Sequence, residues 1–391
     1  MRAHPQAQSR PMPNWEPLLS RWQLAGLIDE PQAERIRAYE KDNHPSQSLR
    51  WPVLLAVAFG ALLLGAGLLL FVAAHWDQLS PAERFTVVLA MLAGCHGVAA
   101  LISERFSAAS SALHAVGTVA LGAGIYLAGQ IFNLKSHWPS AVLMWAAGAA
   151  VAWAILRDWP QAALTAILAP AWLASEWVEA TRVLNDAGDV ASMGLLLLSI
   201  AYLTAPMPGK ESRVRTALAW VGGICVLPLA AIASVGGSAW ESELTAQQRV
   251  LGFGVALALP MAVAVALRGK QAWLNAVAAL WVLALNATGS LQLWRYPQRD
   301  SWWWAEIGPY ALLALGAIGL AAWGLKEARK ERVNLGVAGF ALTVLFFYFS
   351  TVMDKLGRSA SLMGLGLLFL LGGWAIEKTR RRLIARVEGR G

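Results

Sequence analysis

Residues 51–76 read WPVLLAVAFGALLLGAGLLLFVAAHW, a stretch of 26 residues without Asp, Glu, Lys or Arg. Eleven further charge-free windows follow, and the twelve are 17 to 29 residues long, whereas every other gap between charged residues is seven residues or fewer. The eleven are residues 85–103, 106–134, 136–156, 159–175, 190–209, 216–240, 250–267, 271–294, 307–325, 333–353 and 359–376. A bilayer core about 30 Å thick is crossed by roughly 20 helical residues. The pattern therefore predicts an all-α fold, a polytopic membrane helix bundle with about twelve transmembrane helices.

The composition excludes two other classes of protein. Hydrophobic residues make up 57% of the 391 residues and charged residues only 14%, which is not the composition of a soluble globular enzyme. An outer-membrane barrel is built from strands of about ten residues with alternating polarity, and such strands leave no long charge-free runs. Each window is expected to be helical, because backbone polar groups must be satisfied within hydrocarbon.

The basic residues predict the orientation of the bundle. Counted on alternate sides of the windows, 24 of the 32 Lys and Arg residues fall on the side that carries both termini, and eight fall on the other. The positive-inside rule then places both termini in the cytoplasm.

The first 50 residues form a separate predicted region, a short cytoplasmic helical hairpin with its linker. Asn14 can cap a helix that runs through Ala25, and Gly26 is placed to end it. Asp29 and Gln32 have the spacing of a capping box for a second helix. Two short helices bury too little surface to be stable alone, so residues 14–42 are expected to dock on the membrane domain, on a protein partner or on another copy.

The chain is accordingly divided into residues 1–50, a twelve-span domain over residues 51–377, and a basic cytoplasmic tail over residues 378–391. Apolar residues interrupt the basic ones in the tail, which predicts contact with anionic lipid at the cytoplasmic face of the bilayer. Nucleic acid is not expected as a partner, because no basic stretch is interleaved with stacking aromatics.

The windows hold few groups for chemistry. No acidic residue lies deep in any window, which argues against a proton-coupled transporter, although sodium sites built from carbonyls and hydroxyls would leave no such trace. The polar residues within windows are expected to hydrogen-bond between packed helices. They are His96, His114, Gln130, Asn275 and Asn286.

No catalytic constellation, metal site or cofactor motif is predicted. His96 follows Cys95, but neighbouring positions on a helix point about 100° apart, and a third metal ligand is not evident. Phosphate-binding loops, zinc-protease motifs and nucleophile elbows do not occur in the sequence.

One polar cluster is a candidate binding site. The tetrapeptide LGAG occurs at residues 64–67 and again at residues 121–124, in the first and third windows. Small residues permit close approach of helices, so the two helices are expected to pack together. Their outer ends would then bring together His75, Asp77, Gln130 and Asn133. Ordinary interfacial residues are the alternative interpretation of the same four positions.

The order of several segments resembles a family of bacterial membrane proteins catalogued as domain of unknown function 2157. The resemblance rests on the hairpin residues from Gly26 to Gln32, on Gly60–Gly67 followed by Ala74–Asp77, and on Leu121–Gly124 followed by Gly129–Ile131. It covers roughly residues 15–180, and the stretch from Phe346 to Phe349, Asp354 and Arg380–Arg382 are also similar. The resemblance implies a multi-pass protein of the bacterial inner membrane. It implies no particular activity.

These observations favour an uncharacterised integral inner-membrane protein without enzymatic activity, in which the hairpin serves docking or assembly. A membrane transporter or channel for a small polar solute is the alternative. An envelope enzyme that acts on a lipid-linked substrate is a further one, and it would depend on His75.

Overall fold

A computed structural model of the protein describes six long segments, with gaps between them. These are residues 16–43, 80–131, 137–207, 209–235, 244–293 and 303–352, together with Gly60, Leu63, Gly364, Gly366 and Lys378. The chain divides into two compact units, residues 1–68 and residues 69–391, which are described separately. In the described segments every regular element is a helix, and one isolated bridge joins Met207 to Lys210. The predicted all-α class is confirmed for these residues.

In the first unit, the described residues 16–43 form two helices joined by a short turn. Helix α1 spans Glu16–Leu24 and helix α2 spans Glu30–Asn43. The turn contains Gly26 at φ +68°, a conformation that favours glycine. The capping box expected at the start of α2 is present, because the Asp29 carboxylate accepts from the Gln32 backbone N–H at 2.8 Å and the Gln32 amide oxygen accepts from the Asp29 N–H at 3.0 Å.

The apolar residues of this pair of helices divide into buried and exposed groups. Leu19 and Ala33 are fully buried. Leu24 and Leu27 are 90% and 71% exposed, and Tyr39 is also well exposed. The turn between α1 and α2 therefore presents apolar side chains to its surroundings.

The second unit contains ten long helices within its described residues. They are α3 (Pro81–Ile102), α4 (Ser107–Ile131), α5 (Pro139–Leu156), α6 (Trp159–Thr181), α7 (Leu184–Leu203), α8 (Arg213–Val235), α9 (Ala246–Arg268), α10 (Trp273–Leu293), α11 (Trp303–Lys326) and α12 (Lys330–Phe347). A 3₁₀ turn, Gly269–Ala272, connects α9 to α10, and a π-helical turn, Tyr348–Val352, extends α12. Each long helix overlaps one charge-free window, and only Gly60, Leu63, Gly364 and Gly366 are described in the windows 51–76 and 359–376.

Several of these helices are long and apolar enough to cross a membrane. Among the described residues seven stretches qualify, and one of them, Ala246–Thr288, runs through both α9 and α10. Helix α7 contributes only a shorter apolar stretch, Ala187–Leu203. This helix lies at the centre of the packing, since Met193, Leu196 and Ile200 are buried in the main apolar core.

Glycines permit the closest contacts between neighbouring helices. A Cβ on Gly222 of α8 would lie 2.2 Å from the Ser199 carbonyl oxygen of α7, and one on Gly336 of α12 would lie 2.6 Å from the Ala317 carbonyl oxygen of α11. The obstructing atoms belong to backbone and cannot rotate away. Small residues at these positions therefore set the distance between the paired helices.

Candidate functional site

The cluster predicted from His75, Asp77, Gln130 and Asn133 can be assessed at one residue. Gln130 lies at the exposed end of α4, and its amide donates to the Tyr126 hydroxyl one helical turn earlier at 2.9 Å. His75, Asp77 and Asn133 lie outside the described residues. The convergence of the four side chains therefore stays a prediction.

The second LGAG tetrapeptide, residues 121–124, lies in α4 and packs closely on two helices. A Cβ on Gly122 would come within 2.3 Å of the Trp145 ring of α5, and one on Gly124 within 2.9 Å of Val88 of α3. The two glycines thus admit side chains from α5 and α3. The first tetrapeptide, residues 64–67, lies outside the described residues, so its expected packing on α4 is untested.

Polar side chains connect the start of α5 to the last turns of α6. His137, just before α5, lies 2.6 Å from a carboxylate oxygen of Glu176, and Trp172 donates to the other oxygen at 3.1 Å. Trp138 donates to Glu179 at 2.9 Å. The hydrogen bond with His137 is the main cause that holds the pKa of Glu176 below its ordinary value, against a smaller opposing effect of burial.

Two histidines that the sequence analysis treated separately contact each other inside the bundle. The Nδ1 atoms of His96 on α3 and His114 on α4 lie 2.8 Å apart, a distance at which one ring donates to the other. Two imidazoles alone do not make a metal centre, and no group of three or more potential metal ligands occurs in the part of the chain that the structure describes. The pair is an interhelical hydrogen bond of the kind expected for polar residues in packed helices.

An extensive network of polar contacts lies at the C-terminal end of α7, where the chain turns into α8. We call this end, which carries the connections 204–212, 269–272 and 327–329, the basic end. Three arginines from three different helices each donate to one of three successive backbone carbonyls. Arg268 donates to Thr204, Arg215 to Ala205 at 2.6 Å, and Arg332 to Pro206 at 2.9 Å. We call these three arginines the arginine clamp.

The position of the clamp has a simple electrostatic cause. The last carbonyls of a helix lack intrahelical partners and carry the negative end of its dipole, so cations are favourable there. Thr204 is the C-cap of α7, and Arg268 and Arg332 are only 2% exposed. The clamp therefore satisfies a buried helix end that water does not reach, and it joins α7 to α8, α9 and α12.

One carboxylate compensates two of the buried arginines. Glu327, between α11 and α12, accepts from Arg268 at 2.5 Å, from Arg332, and from Trp323 at 2.6 Å. Burial alone would raise the pKa of Glu327, but these three hydrogen bonds outweigh it and hold the pKa below its ordinary value. One carboxylate for two guanidiniums leaves a net charge of +1 in this group.

From the sequence alone, Arg268, Arg332 and Glu327 are only charges between the charge-free windows. Their roles were missed because two of the partners are backbone carbonyls, which have no sequence signature. A possible signal was the alternation KEARKER at residues 326–332, in which acidic residues stand among basic ones.

Some buried polar atoms have no partner among the described residues. The side-chain oxygen and nitrogen of Gln161 both lack a hydrogen-bond partner there, although the residue is fully buried. The side-chain nitrogen of Asn286 also lacks one. Asn275 donates to the Thr204 hydroxyl at 3.2 Å and so adds to the contacts at the end of α7.

Comparison with known proteins gives one match. Residues 20–162 match the DUF2157 family. The family is described as a predicted membrane protein, and the match confirms the resemblance inferred from the sequence. The DUF2157 region runs from within α1 to the first turn of α6 and includes the His96–His114 pair, whereas the arginine clamp lies beyond it. No curated protein and no solved structure matches the chain significantly.

Proposed function

We propose that the protein is a twelve-span scaffold of the bacterial inner membrane, without enzymatic activity, whose N-terminal hairpin associates with the hairpin of a second copy. In this proposal the helices α3 to α12 are ten of the twelve spans, and residues 51–76 and 359–376 are the other two. Eight of the ten helices lie in stretches that are long and apolar enough to cross a membrane. The basic end faces the cytoplasm together with both termini, in accord with the excess of Lys and Arg on that side.

The apolar surface at the turn of the hairpin is the observation that supports the docking role. Leu24 and Leu27 are largely exposed, although a water-soluble turn would favour polar residues here. Most oligomers of soluble regions are symmetric pairs of identical chains, and two helical hairpins together make a four-helix bundle. Self-association buries the two leucines without requiring a different partner.

The arginine clamp favours a static scaffold over a transporter. It fixes the ends of four helices to one another through buried bonds between cations and carbonyls. An alternating-access cycle moves one group of helices against another, so a cycle across the basic end would have to break these bonds and leave buried carbonyls unsatisfied.

Chemical cross-linking of the full-length protein in membranes tests the self-association. In a background in which Cys95 and Cys225 are replaced by alanine, Leu24→Cys should give a covalent dimer with a short bifunctional maleimide. The matched control is Glu34→Cys, an exposed polar position on α2 of the same hairpin. Burial of one leucine contributes about 1.5–3 kcal/mol, so Leu27→Asp should lower the dimer association constant at least tenfold.

Two outcomes would refute the proposal. The first is a monomer at all concentrations with equal labelling of both cysteine positions. The second is a Leu24→Cys adduct formed with a different protein only.

A channel or transporter for a small polar solute is the second candidate, and the unpartnered amide of Gln161 favours it. A buried amide without a partner is costly in a bundle and is accounted for if water or a solute reaches it. Saturable solute uptake by reconstituted protein that Gln161→Leu abolishes would support this candidate. Equal uptake by liposomes with and without protein would exclude it for the solute tested.

A further inference from the structure

A deep apolar groove lies on the surface of the second unit, between α8, α10, α11 and α12. Its volume is about 760 Å³, within the range of ligand-binding pockets. Its lining includes Trp281, Leu313, Gly319, Lys326, Gly339 and Phe346. Among the residues that the structure describes, Lys326 is the one charged residue that lines it.

The few polar side chains along the groove are already engaged. The Trp281 indole donates to the Leu312 carbonyl at 2.8 Å, and the Thr343 hydroxyl donates to the Gly339 carbonyl at 2.8 Å. The Trp323 indole donates to Glu327. Apart from Lys326, the described lining therefore offers a small polar solute few free partners. The chemistry fits a ligand that is apolar over its length and anionic at one end.

The anionic end is indicated by Lys326 at the basic end of the groove. Its ammonium lies 4.9 Å from the centre of the exposed Trp273 ring, and no carboxylate among the described residues pairs with it. The adjacent carboxylate, Glu327, already forms ion pairs with Arg268 and Arg332. The positive charge of Lys326 is thus left uncompensated beside a group that itself carries a net charge of +1.

The length of the groove matches one leaflet of a bilayer. Lys326 and Leu313 lie at opposite ends of the lining on α11, and their separation of 13 residues corresponds to about 20 Å. Half of a hydrocarbon core is about 15 Å, and the headgroup layer lies just outside it. A site for a phospholipid needs a cation at the level of the headgroups and an apolar groove about one leaflet deep, and this groove has both.

We propose that this groove binds an anionic phospholipid, with its phosphate at Lys326 and an acyl chain along α11 toward Leu313. Trp273, stacked beside the ammonium, holds Lys326 at the mouth of the groove. The groove does not include residues of the hairpin, so a test of lipid binding is independent of a test of the scaffold role.

Gly319 offers a direct way to fill the groove. A Cβ built there meets no atom within 4 Å, so a leucine side chain enters the groove without a clash at its base. The matched control is Gly254 on α9, which is also open to its surroundings and does not line the groove. For the charge, Lys326→Gln is compared with Lys270→Gln, an exposed lysine of the same end.

Native mass spectrometry of the full-length protein measures the binding. The protein is exchanged into mixed micelles that contain dioleoyl phosphatidylglycerol or dioleoyl phosphatidylcholine, and retained lipids are counted. The unaltered protein should retain phosphatidylglycerol in preference. Lys326→Gln should reduce this preference roughly fivefold, the effect of one basic residue near an anionic surface. Gly319→Leu should lose one bound lipid of either kind, while Gly254→Leu and Lys270→Gln retain it.

Several results would overturn the proposal. They are the absence of headgroup preference in the unaltered protein, equal lipid retention by Gly319→Leu and Gly254→Leu at equal thermal stability, and a change of oligomeric state in Gly319→Leu alone. The last result would assign the groove to a second copy. A disulfide between Gly319→Cys and a cysteine placed in residues 359–376 would likewise assign it to the chain itself. Lys326→Gln changes no packed residue, so it tests the headgroup contact even if Gly319→Leu fails to fold.

Discussion

Replacement of Glu327 by glutamine should destabilise the second unit strongly. The carboxylate accepts hydrogen bonds from Arg268, Arg332 and Trp323, and both guanidiniums are buried. Glutamine removes the charge and turns an NH₂ group toward donors on one side. Two charge-assisted bonds contribute about 1.5–3 kcal/mol each, and removal of one partner from a buried ion pair costs about 3–5 kcal/mol. We therefore expect a loss of about 4 kcal/mol in the free energy of unfolding.

The assay is a denaturant titration in mild detergent, followed by tryptophan fluorescence and compared with Glu331→Gln. Glu331 lies in the same charged segment but is exposed, so the same chemical change there should shift stability by no more than about 0.5 kcal/mol. A loss below about 1 kcal/mol for Glu327→Gln, or equal losses for the two variants, would refute the reasoning that the carboxylate compensates buried arginines.

Three further predictions concern acid, helix packing and the histidine pair. The pKa of Glu327 is lowered by its hydrogen bonds. Its contribution to the free energy of unfolding is therefore complete above the ordinary pKa of 4.5 and is lost as the pH falls through the folded-state pKa. A titration of stability against acid pH should show this loss, and Glu327→Gln should show less of it. Gly222→Ala should destabilise by about 1–3 kcal/mol because its Cβ meets backbone, whereas Gly223→Ala, 3.7 Å from the nearest atom, should change the unfolding midpoint little. A double-mutant cycle on His96→Phe and His114→Phe should give a coupling of about 0.6 kcal/mol, and additive effects would show that the hydrogen bond contributes nothing.

The long helices were predictable because hydrocarbon excludes charge over a fixed length. Their ends were less predictable, since a helix continues past interfacial charges into the headgroup region. Helix α3 begins at Pro81, with Glu83 and Arg84 inside its first turn, and α11 begins at Trp303, before Glu306. The charge-free windows therefore locate the apolar part of each helix better than its ends.

The polar contacts inside the bundle depend on tertiary geometry that no local pattern records. His96 and His114 are 18 residues apart on different helices, and they meet only because both helices turn these faces together. Arg268 and Arg332 could be counted from the sequence, but the count does not distinguish a solvated arginine from a buried one. Gln130 lies at an exposed helix end, and its observed partner, Tyr126, lies on its own helix.

The arginine clamp also has a consequence for the order in which the chain is assembled. Thr204 is synthesised 64 residues before Arg268, which donates to its carbonyl. Pro206 is synthesised 126 residues before its own donor, Arg332. At a synthesis rate of 5–20 residues per second, the second interval lasts roughly 6–25 s. During that time the end of α7 needs water or the insertion machinery as a temporary partner, because backbone carbonyls cannot enter hydrocarbon unsatisfied. The contacts at the end of the central helix are thus completed only when α12 arrives, and a chain cut short before Arg332 leaves the Pro206 carbonyl without this donor.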